Sequence, residues 1–163
     1  MRYHTHFAWK RGCSTASLDC AMTVAAFDHV AIPTARPEEM LRFYHALGFT
    51  VPSLEAWRAS EQLYFSIQFG DNKINVHAPV IWQNPAITLR GHTAKPGCGD
   101  FCFVWSGTLA DIRDKLHAVG ARIEEGPVER VGGRNDGRDV GMSIYTRDPD
   151  DNLLEFIVYS GTA

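Results

Sequence analysis

A chain of 163 residues with 45% hydrophobic residues and a formal net charge of -3 can bury roughly 70% of the surface its unfolded form exposes. It has neither the basic balance of a nucleic-acid-binding protein nor the composition of a disordered one. No run approaches the roughly 18 apolar residues needed to cross a bilayer, so the chain reads as a soluble cytoplasmic protein with a small-molecule partner, no nucleic acid and no membrane.

Residues 1–26 lack both a compact apolar stretch and the periodicity of a packed element, and read as a flexible extension. Arg2, Lys10 and Arg11 against the single acid Asp19 have the charge balance of a transit peptide, while Met22 offers a later start. The run FDHVAIP (27–33) has strand character. Pro37 then opens a helical pattern with Glu38 and Glu39 in its first turn, Met40, Phe43, Tyr44 and Leu47 on one face, and Gly48 as its stop. FTVPS, LYFSIQFG and KINVHA follow as strand candidates, the last two joined by the turn residues Gly70, Asp71 and Asn72. In KINVHA, Lys73, Asn75 and His77 share the face opposite Ile74 and Val76.

Residues 79–98 are rich in Pro, Gly and polar residues and read as a linker. After it the order recurs. GDFCFVW is strand-like, and Thr108 with Asp111 marks a capping box for a helix carrying Leu109, Ile112, Leu116 and Val119, which Gly120 ends. ARIEEG, VGMSIYTR and NLLEFIVY are the remaining strand candidates, the last two joined by DPDDN, read as turn chemistry. The chain therefore predicts an α+β fold of two tandem βαβββ modules, 27–78 and 99–160, within one domain (27–160). The modules form a barrel-like curved sheet around a cleft.

Four cysteines, Cys13, Cys20, Cys98 and Cys102, lack C-x-x-C spacing and read as free thiols. Cys102, inside FCFVW, is expected as a buried small hydrophobe. The chemistry gathers elsewhere. His29 lies in the first strand, His77 in the last strand of the first module, and Glu155 in the last strand of the second; Asp100 mirrors His29. Two imidazoles and a carboxylate suit one divalent ion (Fe, Mn, Ni, Co or Zn) with open positions for substrate or water.

The paired βαβββ pattern with FDHVAI, INVH and the closing Y-x-R-D-P-D-x-N-L-x-E (Tyr145 to Glu155) resembles the vicinal oxygen chelate superfamily. That superfamily includes glyoxalase I, fosfomycin-resistance proteins, methylmalonyl-CoA epimerase and extradiol dioxygenases. The phrases FGDNKINVH, IEEGPV and MSIYTRDPDDNLLE are most similar to its glyoxalase-domain-containing protein five subgroup. The resemblance implies a metal held by His29, His77 and Glu155, Asp100 as a further ligand or a base, and a homodimer. It also implies that Tyr145 faces the metal and donates to a substrate oxygen, unless it is a packed hairpin aromatic. Arg130, Arg134 and Arg138, in the glycine-rich segment 127–140, can clamp a substrate carboxylate or phosphonate, Arg134 and Arg138 being the leading candidates, if that loop is not merely solvated. A glyoxalase-like lyase or isomerase is the leading expectation. Extradiol ring cleavage and non-catalytic drug or metabolite binding remain alternatives.

Overall fold

The computed structural model describes residues 24–160; most of the expected N-terminal extension lies outside them. The elements run β1 (His29–Pro33), α1 (Pro37–Leu47), α2 (Leu54–Ala59), β2 (Tyr64–Phe69), β3 (Asn72–His77), α3 (Pro79–Trp82), β4 (Asp100–Val104), α4 (Leu109–Ala118), β5 (Glu125–Val131), the single turn α5 (Arg134–Gly137), β6 (Val140–Arg147) and β7 (Leu153–Tyr159). Strands β1-β3-β2 form one sheet and β4-β7-β6-β5 another. In each, the first strand runs parallel to the last. The fold is α+β, as expected, with two sheets that do not close into a barrel within one chain.

Both long helices begin and end where their chemistry dictates. Pro37 and the acids Glu38 and Glu39 open α1, and Gly48 closes it at φ 98°, a left-handed conformation that costs glycine little. The reciprocal Thr108–Asp111 capping box opens α4. Their apolar stripes, Met40, Leu41, Tyr44 and Leu47 on α1 and Ile112 and Leu116 on α4, meet one face of each sheet. The result is a single core that includes Ile67, Ile74 and Val76 from the first sheet and Phe103, Ile144, Leu154 and Phe156 from the second.

Three boundaries differ from expectation. FTVPS contributes only an isolated bridge between Thr50 and Gln68. Ser53 then caps α2 by accepting from the Ala56 N–H at 3.0 Å, so a helix follows directly where the expected strand ends. In the second half the strand begins at Glu125 and runs through Val131, so half of the segment read as a loop is sheet. Inside the linker, Pro79 starts the short helix α3, whose Trp82 donates from Nε1 to the Thr34 carbonyl at 2.9 Å.

The DPDDN segment is more than a turn. Asp148, Asp150 and Asn152 are buried. Asp148 accepts from the Tyr44 hydroxyl at 2.9 Å, from the Asn152 side-chain amide at 2.8 Å, and from the backbone N–H groups of Asp150 and Asn152, both at 3.0 Å. Asp150 accepts from the Thr34 hydroxyl and, at 3.1 Å, from the Ala35 N–H. The turn thereby fastens the second sheet to β1 and α1.

Burial raises the Asp148 carboxyl above its usual range despite these donors. A raised folded pKa means that the native state holds the proton more tightly than the unfolded chain. This contribution is complete below the ordinary aspartate value of 3.8 and is lost as pH rises through the folded value. Tyr44→Phe, which removes a donor to the carboxylate, should cost about 1–3 kcal/mol at neutral pH. Urea titrations should show that deficit shrinking below the unfolded pKa, where Asp148 is neutral in both states.

Candidate metal centre

Strand alternation assigns two faces to each sheet, one on the core and one open. On the first sheet the register pairs His29 with Lys73, Ala31 with Asn75, Tyr64 with His77, Ser66 with Asn75 and Gln68 with Lys73. These residues share the open face. On the second sheet Asp100, Cys102, Leu153, Glu155, Tyr145 and Ser143 do the same, through the pairs Asp100–Leu153, Cys102–Glu155 and Tyr145–Glu155.

His29 is half exposed and its Nδ1 lies 2.5 Å from Asp28 Oδ1. An imidazole whose Nδ1–H donates to a carboxylate presents Nε2 as a free lone pair, the arrangement that orients a metal-ligating histidine. His77 does not stand beside it. Lys73 is the partner of His29, and His77 lies four residues further along β3, opposite Pro33. That separation is about 13 Å at strand rise, and side chains standing perpendicular to a sheet do not close it. His77 instead meets Tyr64 edge-on at 6.1 Å, and burial lowers its pKa.

On the second sheet Glu155 Oε1 accepts from Ser143 Oγ at 2.5 Å, and Tyr145 stands directly opposite Glu155 in the β6–β7 ladder. Asp100 is exposed at the start of β4. Among the described residues neither carboxylate takes part in an ion pair. Cys102 is not a core residue. Phe101 and Phe103 take the core side of β4, which leaves Cys102 exposed between Asp100 and Glu155. Its thiol is pushed up to about 12 by burial and by the two carboxylates, so it stays protonated and is no nucleophile at neutral pH.

Burial also lifts the Tyr145 phenol above its usual range, and the guanidinium of Arg130 acts against that rise. Arg130 donates from Nε to the Tyr145 hydroxyl at 3.0 Å. Arg130 shares segment 127–140 with Arg134 and Arg138, and regular hairpin alternation back from Tyr145 would put Glu129 on this face in its place, so the sequence pattern does not set it apart.

Arg134 and Arg138 are occupied elsewhere. Arg134 lies over the Tyr159 ring at 4.4 Å, and Arg138 pairs with Asp136 at 3.0 Å and Asn135 at 2.9 Å. Their loop roofs the far end of the open face, where Ile157 and Tyr159 are buried although neither belongs to the main core. Where the second sheet meets the first, a cleft of about 610 Å³ is lined by Phe49, Phe69, Asn72, Cys102, Trp105 and Phe156, among others.

Residues 26–156 match the model of the Glyoxalase/Bleomycin resistance protein/Dioxygenase superfamily. The chain belongs to this superfamily. It is 32% identical over 140 residues to Glyoxalase domain-containing protein RDO1 of Mycosarcoma maydis, across 85% of this chain and 70% of that one. It is 32% identical over 139 residues to Virulence protein STM3117 of Salmonella typhimurium, across 85% and 87% of the two. The crystal structure of the latter matches with a TM-score of 0.68, across 85% of this chain and 99% of that one. Lactoylglutathione lyase from Agrobacterium tumefaciens, 16% identical across 83% and 95% of the two chains with a TM-score of 0.59, shares the fold. The superfamily contains enzymes and non-catalytic resistance proteins, and its members typically bind a divalent metal.

Among the described residues no three His, Cys, Asp or Glu side chains of one chain lie close enough to hold such an ion. The two halves of the chain show why. Asp71-Asn72 leads into β3, with Asn72 as its first residue, and Asp151-Asn152 leads into β7. Aligned on that dipeptide, Asn75 corresponds to Glu155 and His77 to Ile157, while His29 corresponds to Asp100 by pairing. Each open face therefore carries part of a donor set.

Gly132 allows the roofing loop to lie down: a Cβ there would sit 1.8 Å from Tyr159 Oη and 3.0 Å from Ile157 Cδ1. Gly132→Ala should cost about 1–3 kcal/mol by overpacking and lift the loop. Faster trypsin cleavage after Arg134 would report that movement.

Proposed function

We propose that this protein is a metal-dependent enzyme of the glyoxalase-like type, a lyase or isomerase acting on a small oxygen-chelating substrate, and that it works as a homodimer in the cytoplasm. The observation that carries the reading is the pair Asp100 and Glu155: two carboxylates on one open face, in no ion pair among the described residues, beside a serine that donates to Glu155 and a tyrosine directly opposite it. Carboxylates so placed favour a cation. The donor they lack is on the other sheet, where Asp28 orients His29. In a dimer, His29 of one protomer would complete the set formed by the partner subunit's Asp100 and Glu155.

The residues present thus fit a divalent ion at a site shared by two chains, with Asn75 or water filling the remaining position. Such an ion supplies Lewis-acid chemistry and leaves sites for substrate oxygens. Tyr145 holds a proton next to Glu155 and would donate it to the oxygen on which charge develops. A tyrosine phenol is neutral at working pH, as a proton donor requires. Arg134 and Arg138 would act as the wall of the substrate pocket through the loop seated on Tyr159.

The same donor set ranks the alternatives. Iron enzymes that activate oxygen commonly use two histidines and one carboxylate, whereas the register supports one histidine and two carboxylates and leaves His77 at the rim. A non-catalytic binder has no need of a carboxylate pair in a polar network. Free thiols at Cys98 and Cys102 suit a reducing compartment.

A mixing experiment tests the shared site. His29→Ala and Glu155→Ala proteins should each purify without metal, while their mixture, after subunit exchange, should recover about one ion per mixed dimer, measured by mass spectrometry of the metal. No recovery would reject the shared site. His77→Ala should keep full metal, and loss there would restore His77 as a ligand. Apo-protein loaded with Fe(II), Mn(II), Ni(II) or Zn(II) should isomerise a hemithioacetal or open fosfomycin. Oxygen uptake with catechols on Fe(II) alone would reverse the ranking.

A further inference from the structure

We infer that Arg130 is the positioning residue of this site: it fills the acceptor side of the Tyr145 phenol, so that the phenol proton has a single direction, into the open face at Glu155. The consequence for chemistry rests on the function proposed above; the placement of Arg130 does not.

The placement comes from a slip in the β5–β6 ladder. Glu125 pairs with Tyr145, but beyond a shift in register the pairs become Val128–Ser143 and Arg130–Gly141. Without that shift the residues opposite Ser143 and Gly141 would be Pro127 and Glu129. A one-residue slip sends every later side chain to the other face, and bulges re-aim side chains in this way. Here the slip brings an arginine, and not the adjacent Glu129, to the face that holds Tyr145 and Glu155. Opposite Arg130 stands Gly141, where a Cβ would meet Ile157 Cγ1 at 2.6 Å. With no side chain at that position, nothing from Gly141 competes with the guanidinium for space.

Every nitrogen of the guanidinium has an acceptor. Nε donates to Tyr145 Oη at 3.0 Å, one terminal nitrogen to Glu125 Oε1 at 3.0 Å, and the other to the Glu129 carbonyl at 3.0 Å. The guanidinium carbon also lies 5.4 Å from the centre of the Tyr145 ring. A phenol has one proton to give. With an N–H already directed at its oxygen, that proton turns away from Arg130, towards Glu155, its directly opposed partner on β7, which also accepts from Ser143. Lysine, a point donor without the planar fork, cannot hold Glu125 and Tyr145 in the same geometry.

The test labels the five tyrosines with 3-fluorotyrosine and reads fluorine NMR, the Tyr145 signal being assigned by its loss in Tyr145→Phe. In Arg130→Gln that signal should move while the other four hold, and Arg130→Lys should move it less. Thermal melting checks that each variant is folded. An unmoved Tyr145 signal in folded Arg130→Gln overturns the inference. Should that variant fail to fold, Glu125→Gln, which releases the far edge of the guanidinium, must shift the same signal, and no shift there overturns it equally.

A second readout is the affinity of Mn(II)-loaded protein for 4-nitrocatechol, a coloured vicinal diol. Tyr145→Phe and Arg130→Gln should each weaken it about tenfold. The double variant should be no weaker than either, because Arg130 acts through Tyr145. Additive losses would mean that Arg130 touches the ligand itself, contrary to the inference. Failure of the wild-type protein to bind the probe on any metal would count against the proposed function, while the fluorine signal would still decide the role of Arg130.

Discussion

Two buried carboxylates held without any cation set the geometry of this molecule. Asp148 and Asp150 lie inside the protein, where an unsatisfied charge would cost several kcal/mol. Their oxygens are met by hydroxyl and N–H groups from β1, α1 and their own turn. The next polar residue, Asn152, accepts from the Gly99 N–H at 2.7 Å, and the Leu153 N–H donates to the Gly99 carbonyl at 3.0 Å. Gly99 immediately precedes Asp100, and Leu153 is its partner on β7. The network that joins the two halves therefore also determines how far β4 has slid along β7, and with it the offset between Asp100 and Glu155. Loss of the staple would disturb the donor face before it unfolded the core.

Comparison of the two halves shows what the repeat keeps and what it has given up. Asn72 occupies in the first sheet the place Asn152 holds in the second, yet its Oδ1 is buried without a hydrogen-bond partner. Asn75 accepts from Ser66 at 2.8 Å much as Glu155 accepts from Ser143 at 2.5 Å, but an amide brings no charge. An ion bound between such faces draws its negative ligands from one side and its nitrogen from the other. The two faces share this geometry, and only the second carries the acid there.

The fold was legible in the sequence because its signals are local. Pro37, Gly48, the Thr108–Asp111 box and the alternation in KINVHA each act within a few residues. What escaped required long-range information. FTVPS has strand composition, but Ser53 diverts the chain into a helix packed by Trp57 against Phe65 at 5.4 Å. Cys102 sits in an apolar run, yet period-two geometry on an edge strand turns it outward with Asp100. His77 stands on the open face as its alternation with Ile74 and Val76 implied. Its distance from His29 follows only from the register of a parallel pair, which composition does not encode. The role of Arg130 depends on a single slip in a ladder, and single slips leave no mark on a hydrophobic pattern.

Glu155 and Tyr145 lie on interior strands, but His29 and Asp100 lie on strands left unpaired along one side within one chain. Strands β1 and β4 each form one edge of their sheets. They begin with His29 and Asp100, and β4 exposes half of Val104 (50%). An uncovered edge invites pairing with another chain, and stable proteins cover it, charge it or shorten it. Both edges here are five residues long, which limits unspecific pairing without preventing a specific one. In the proposed dimer, covering these edges and completing the donor set are a single event, because the strand that needs shielding is the one that carries the ligand. A lone chain would then have an exposed edge and an incomplete site together, so assembly and metal binding should stabilise each other.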